Sequence, residues 1–164
     1  RGIAPTYRWG IGLKDEFSVG LYHLETDGNP GYNHPWFQQP LGNGFNRIIE
    51  TLPADNFYGL ASDYNRTTTT AATFSHTHRF DSELRTTVRH GEYERELWTS
   101  VVRFAGGTTI DNLSPNTVIT RTPKGRVGYS TLTQVQSDYS TAFDALGMRH
   151  QLLAGVDLSD ENAR

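Results

Sequence analysis

Hydrophobic and polar positions alternate along most of this chain, and the alternation predicts strands. Ile3, Pro5, Tyr7, Trp9, Ile11 and Leu13 fall on one face of the first, and Ala4, Thr6, Arg8, Gly10 and Gly12 on the other. That is the period of two that a β-strand imposes on its side chains. A polar turn at Lys14-Asp15-Glu16 leads into a second strand, with Phe17, Val19, Leu21 and His23 opposite Ser18, Gly20 and Tyr22. The middle of the chain reads as a long hairpin. Tyr64, Thr68, Thr70, Ala72, Phe74, His76, His78 and Phe80 share one face, and Phe80-Asp81-Ser82 turns the chain. Leu84, Thr86, Val88 and His90 then lie opposite Arg85, Thr87, Arg89 and Gly91. A fifth strand over Val127–Phe143 and a sixth over Met148–Leu158 are joined by Asp144-Ala145-Leu146-Gly147. Pro5 donates no ladder hydrogen bond, so it belongs near a strand start or at a bulge.

Between these strands the connections run short, long, short, long, short. The long ones, about 27–63 and 97–126, are rich in Gly, Pro and Asn and include the breakers Gly106-Gly107, Ser114-Pro115 and Pro123-Lys124-Gly125. Neighbouring antiparallel strands alternate in direction, so all short turns fall at one end of the sheet and both long loops at the other, as in a bacterial outer-membrane barrel. The expected fold class is all-β: an antiparallel up-and-down meander of about six long strands, part of a transmembrane β-barrel. A soluble sandwich would fill its inner faces with Val, Ile and Leu. Here the second face carries Thr, Ser, Gln, Asp and Arg, which suits a wet lumen.

Composition sharpens this picture. Hydrophobic residues are 35% of the 164, below the share of an ordinary globular domain, and no apolar run approaches the ~20 residues of a transmembrane helix. A strand-built barrel crosses the membrane without one. The net charge of −3 and the lack of a basic stripe give no reason to expect nucleic acid, and the absence of cysteine excludes disulfides and thiolate metal sites. The strand-like pattern is already running at Arg1 and ends close to Arg164, as expected of a portion of a longer barrel.

Several stretches resemble the TonB-dependent outer-membrane siderophore receptors, in particular those for ferric catecholates: Asn56-Phe57-Tyr58-Gly59 followed by Ser62-Asp63-Tyr64, the Ile3-Ala4-Pro5 opening, and His150-Gln151-Leu152-Leu153-Ala154-Gly155-Val156-Asp157. Together they span most of the chain in the family's order. The resemblance implies that residues 1–164 are a partial barrel domain of a protein with about 22 strands and a plugged lumen, located in the bacterial outer membrane. It implies no enzyme activity, no catalytic residue and no cofactor. The ligand would be a ferric siderophore. The partners would be outer-membrane lipid, the receptor's own plug domain and, through it, TonB.

In the first long loop Tyr32, His34, Trp36 and Phe37 offer aromatic and imidazole surface, and Arg103 and Arg121 in the second add positive charge. Such residues can hold a flat anionic complex by stacking and cation–π attraction, although loop packing and solvation are their commoner uses. Arg85, Arg89 and Arg149 are expected to face the lumen, where they can pair with acids or guide anions. No metal site is expected of the receptor reading. The rival reading is a soluble cupin-like metal-dependent β-barrel enzyme using His76, His78 and Glu83, whose spacing resembles a metal motif. Another is an outer-membrane barrel for a different substrate.

Overall fold

The computed structural model describes all residues except 32–33, 42–44, 49–51 and 54, and the side chains of 37–41 and 45–48 are likewise left undescribed. Among the described residues nine strands form, with one turn of 3-10 helix at Ile110–Asn112: β1 Gly2–Ile3, β2 Thr6–Trp9, β3 Asp15–Gly28, β4 Trp36–Leu41, β5 Phe45–Ile48, β6 Tyr64–Arg79, β7 Glu83–Phe104, β8 Ile119–Ala145 and β9 Met148–Ala163. Seven belong to one open sheet in the order β1-β3-β6-β7-β8-β9, with β2 also on β3, while β4 and β5 pair as a separate hairpin. The antiparallel meander expected from the alternation is therefore present. Among the described residues no helix is long and apolar enough to cross a membrane.

By their contacts the residues fall into two compact units. The first comprises Arg1–Thr26, Thr67–Arg95 and Gly128–Arg164, and the second Asp27–Arg66 and Glu96–Val127. All three short turns belong to the first unit and both long connections to the second.

The first unit is a sheet whose register is fixed by side-chain pairs as well as by its ladders. Ser18 and Ser75 hydroxyls meet at 2.6 Å, Thr26 and Thr67 at 2.6 Å, and Thr86 and Ser137 at 3.0 Å. Cross-strand pairs of this kind contribute roughly 0.2–1 kcal/mol each. β8 and β9 pair from Ser130↔Ala163 to Ala145↔Met148 without a slip. Burial is inverted relative to a water-soluble domain: Ser75, Thr77 and Thr87 are buried, whereas Tyr7, Trp9, Leu21, Phe74, Phe80, Val135, Phe143 and Leu158 are exposed. The exposed rings form a row across strands, in which Tyr7 stacks on Trp9, Trp9 on Phe17 and Phe17 on His76. His78 and Phe80 continue it to Tyr139.

The structure corrects three boundaries. The opening strand breaks at Pro5, whose carbonyl still accepts the Leu21 N–H at 3.0 Å, and it ends at Trp9 rather than Leu13. Gly10 has φ 69°, and a Cβ there would lie 2.2 Å from the Asp15 carbonyl oxygen, so glycine is obligatory where the chain reverses. Asp15 and Glu16, expected in the turn, begin β3 instead. The second long loop shrinks to 105–118 because β7 and β8 extend into it. Pro123, Lys124 and Gly125, expected as breakers, lie inside β8.

Candidate ligand-binding site

The second unit is organised by a turn over Asn56–Asp63. Asp63 is 3% exposed, and its carboxylate accepts the Leu60 N–H at 3.0 Å, the Ser100 N–H at 3.1 Å and the Ser100 hydroxyl at 3.0 Å. The Asp63 N–H returns to the Leu60 carbonyl at 3.0 Å. One short acidic side chain thus closes its own turn and clasps it to β7. Tyr58 is held on several sides: Asn56 donates to its hydroxyl at 3.0 Å, Arg121 Nε donates to its carbonyl at 2.8 Å, and the His34 ring meets its ring edge-on at 5.2 Å. Gly59 fits because a Cβ there would lie 2.5 Å from the Phe57 ring and 3.0 Å from Asp63 Oδ2. The Asn-Phe-Tyr-Gly and Ser-Asp-Tyr stretches singled out in the sequence therefore make a structural clasp.

Beside it opens a cavity of about 310 Å³ lined by Trp36, Arg103, Phe104, Ala105, Gly106, Gly107 and Thr108. Trp36 is 44% exposed and Arg103 is exposed as well. Thr108 N–H bonds to the Ala105 carbonyl at 3.2 Å and Ala105 N–H to the Val118 carbonyl at 3.0 Å, so the 105–108 turn is braced on both sides. Gly106 and Gly107 put backbone on the cavity surface, where a ligand can approach closely. An indole, a guanidinium and a side-chain-free turn together suit a flat ligand with negative charge on its oxygens.

Of the loop candidates read from sequence, the structure brings Trp36 and Arg103 into one cavity. His34 is engaged within its loop, Nδ1 facing the Pro35 carbonyl at 3.2 Å and Nε2 the Pro53 carbonyl at 3.3 Å, and Arg121 is occupied with Tyr58. Tyr32 and the Phe37 side chain lie outside the described residues. In the first unit, strand parity and the β8–β9 register put Arg85, Arg89 and Arg149 on the polar face. Arg89 donates there to Gln134 at 3.0 Å, and Arg85 lines a small cavity with Arg8, Glu16, Arg79 and Glu83. The pairing of Asp63 with Ser100 is not legible in the sequence, since nothing in the local pattern links positions 37 residues apart.

The cupin-like set does not assemble. His76 and His78 share the outward face, but Glu83 takes the polar face, where Arg79 Nε donates to it at 3.1 Å. Residues on opposite faces of a strand pair cannot bind one ion.

No family model matches the chain. Among characterised proteins, the catecholate siderophore receptor Fiu of Escherichia coli is 24% identical over 98% of this chain, and the version from another strain is 25% identical. The chain spans only 22% of the length of those relatives. Two solved structures share the fold. The ferric-catecholate import receptor Fiu of Escherichia coli has a TM-score of 0.76 at 20% identity, covering 99% of this chain and 26% of that one. The siderophore receptor PiuA of Acinetobacter baumannii has a TM-score of 0.83 at 18% identity, covering 99% and 23%. In sequence and in fold, from end to end, this chain is similar to a β-barrel segment of the siderophore receptors.

Proposed function

We propose that the chain forms part of the wall and loops of an outer-membrane receptor that takes up a ferric siderophore of the catecholate class. In this reading TonB supplies the energy through a plug domain within the same barrel. The observation that carries the proposal is the similarity to receptors named for catecholate siderophores over 98% of the chain. Inverted burial supports it independently, because an exposed apolar face over a hydroxyl-lined one matches a sheet between lipid and a wet lumen. β6 has 16 residues and β7 has 22, against the 9–11 or so that a tilted strand needs to cross. Arg85, Arg89 and Arg149 would then face the lumen, and the exposed ring row would sit at a membrane interface.

The chemistry is binding and release, with no covalent step. A ferric catecholate complex presents flat rings and negatively charged oxygens. Trp36 offers a stacking face and Arg103 offers N–H donors, while the 105–108 turn lets the ligand approach backbone. The test is binding and uptake of a radiolabelled ferric catecholate by the receptor carrying this chain in cells lacking other receptors. Replacing Trp36 and Arg103 together by Ala is expected to weaken binding about ten- to hundredfold, from a combined contribution of roughly 1.5–3 kcal/mol. Unchanged affinity overturns the assigned site. Uptake of a different metal chelate in place of catecholates overturns the substrate class.

A further inference from the structure

We propose that Asp15, His76 and His78 form a binding site for a divalent first-row transition metal, with Zn2+ as the reference ion, on the outward face of the first unit. The site shares no residue with the cavity above and does not depend on the transport reading. His76 and His78 are two apart in β6 and share a face. Asp15, the first residue of β3, lies against both. Its Oδ1 is 2.8 Å from His76 Nε2 and 2.6 Å from His78 Nδ1. One candidate ligand atom from each residue lies within 4.8 Å of the other two, and among the described residues no other group of three such side chains converges this way.

The two imidazoles are already oriented. Phe17 stacks on His76 at 4.5 Å and 8°, and Phe80 lies 5.8 Å from His78 at 39°, so both rings are packed in place. Around a four-coordinate ion with bonds of about 2.0–2.1 Å, ligand atoms sit roughly 3.3 Å apart. The two contacts to Asp15, at 2.8 and 2.6 Å, need to open by only about 0.5 and 0.7 Å to reach that separation. The side chains are 36%, 35% and 44% exposed for His76, His78 and Asp15, which gives an entry path and leaves the remaining coordination position to water. Two imidazoles with one carboxylate favour Zn2+, Cu2+ or Ni2+ over Mg2+ or Ca2+. Because its ligands come from β3 and β6, a bound ion would tie two neighbouring strands together where their ladder begins.

The test uses the protein in detergent, stripped with EDTA, dialysed and titrated with Zn2+ alone. Saturable binding of one ion per chain is expected. D15N, H76Q and H78Q should each weaken it by about tenfold or more, whereas H23Q and H90Q, at histidines on the same face outside the cluster, should leave it unchanged. Cu2+ bound to the unsubstituted protein should show hyperfine coupling to two nitrogens in electron paramagnetic resonance, and to one in either His76 or His78 variant. No saturable binding, or wild-type affinity in the doubly substituted H76Q/H78Q protein, overturns the proposal. Should a variant fail to fold, the Cu2+ spectrum of the unsubstituted protein decides, since anything other than two-nitrogen coupling is then a refutation.

Discussion

The Asp63 clasp makes a graded prediction. In Asp63→Ala the Leu60 and Ser100 N–H groups and the Ser100 hydroxyl all lose their acceptor. Hydrogen bonds to a charged acceptor are worth about 1.5–3 kcal/mol each, and three that share one carboxylate are not additive. The expected loss is therefore on the order of 3–5 kcal/mol, an increase in local opening of roughly 150- to 5,000-fold. Asp63→Asn should behave quite differently. An amide oxygen in the place of Oδ2 keeps both N–H bonds, and the amide nitrogen then faces a Ser100 hydroxyl that can turn to accept. Only charge assistance is lost, about 1 kcal/mol. Ser100→Ala removes a single hydroxyl donor, again about 1 kcal/mol. Amide hydrogen exchange read on peptides covering 56–63 and 97–104 measures local opening directly. Wild-type protection in Asp63→Ala would show that the clasp does not hold the turn. An Asp63→Asn protein as unprotected as Asp63→Ala would show that charge, not acceptor geometry, is what matters.

Leu146 has φ 55° and is 93% exposed, next to Gly147 at φ 75°, so both central residues of the β8–β9 turn are left-handed, as a type I′ hairpin turn requires. Leucine there costs about 1–2 kcal/mol that asparagine largely avoids, and Leu146→Asn is expected to raise stability by about 0.5–1 kcal/mol in chemical denaturation. A lower midpoint would contradict the turn assignment. Trp9 reports on the exposed ring row. With Trp36 and Trp98 replaced by Phe, brominated lipid in a reconstituted bilayer should quench Trp9 fluorescence most strongly near the headgroups, and the absence of quenching would remove lipid from that face.

How much of this was legible beforehand depended on range along the chain. Strand parity is a local property, so the common face of His76 and His78, that of Arg85 and Arg89, and the Leu146-Gly147 turn could all be read from neighbouring residues. The Gly10 turn could not, because Ile11 and Leu13 continue the alternation past the point where positive φ breaks the strand. The reach of β8 back to Ile119 is masked by Pro123, Lys124 and Gly125, whose residue types favour turns over strands. Asp15 with His76 and Asp63 with Ser100 are joined only by register, across 61 and 37 residues. Trp36 and Arg103 were singled out for their chemistry alone, and their shared cavity depends on how the loops fold.

The inverted burial also constrains how such a sheet can exist. Ser75, Thr77 and Thr87 are buried, with the Ser75 hydroxyl against that of Ser18, which helps fix register but supplies little of the apolar burial that usually offsets chain entropy. Among the described residues Val102 is the buried hydrophobic side chain, at 1% exposure. The driving force must therefore come from covering the opposite face, and hydrocarbon can do that only if every backbone donor and acceptor in contact with it is already paired. Inside the sheet the ladders meet that condition. A sheet edge leaves such groups unpaired until another strand covers them. In the proposed receptor this chain would form one arc of the wall, which is consistent with its spanning 22% of the length of its relatives.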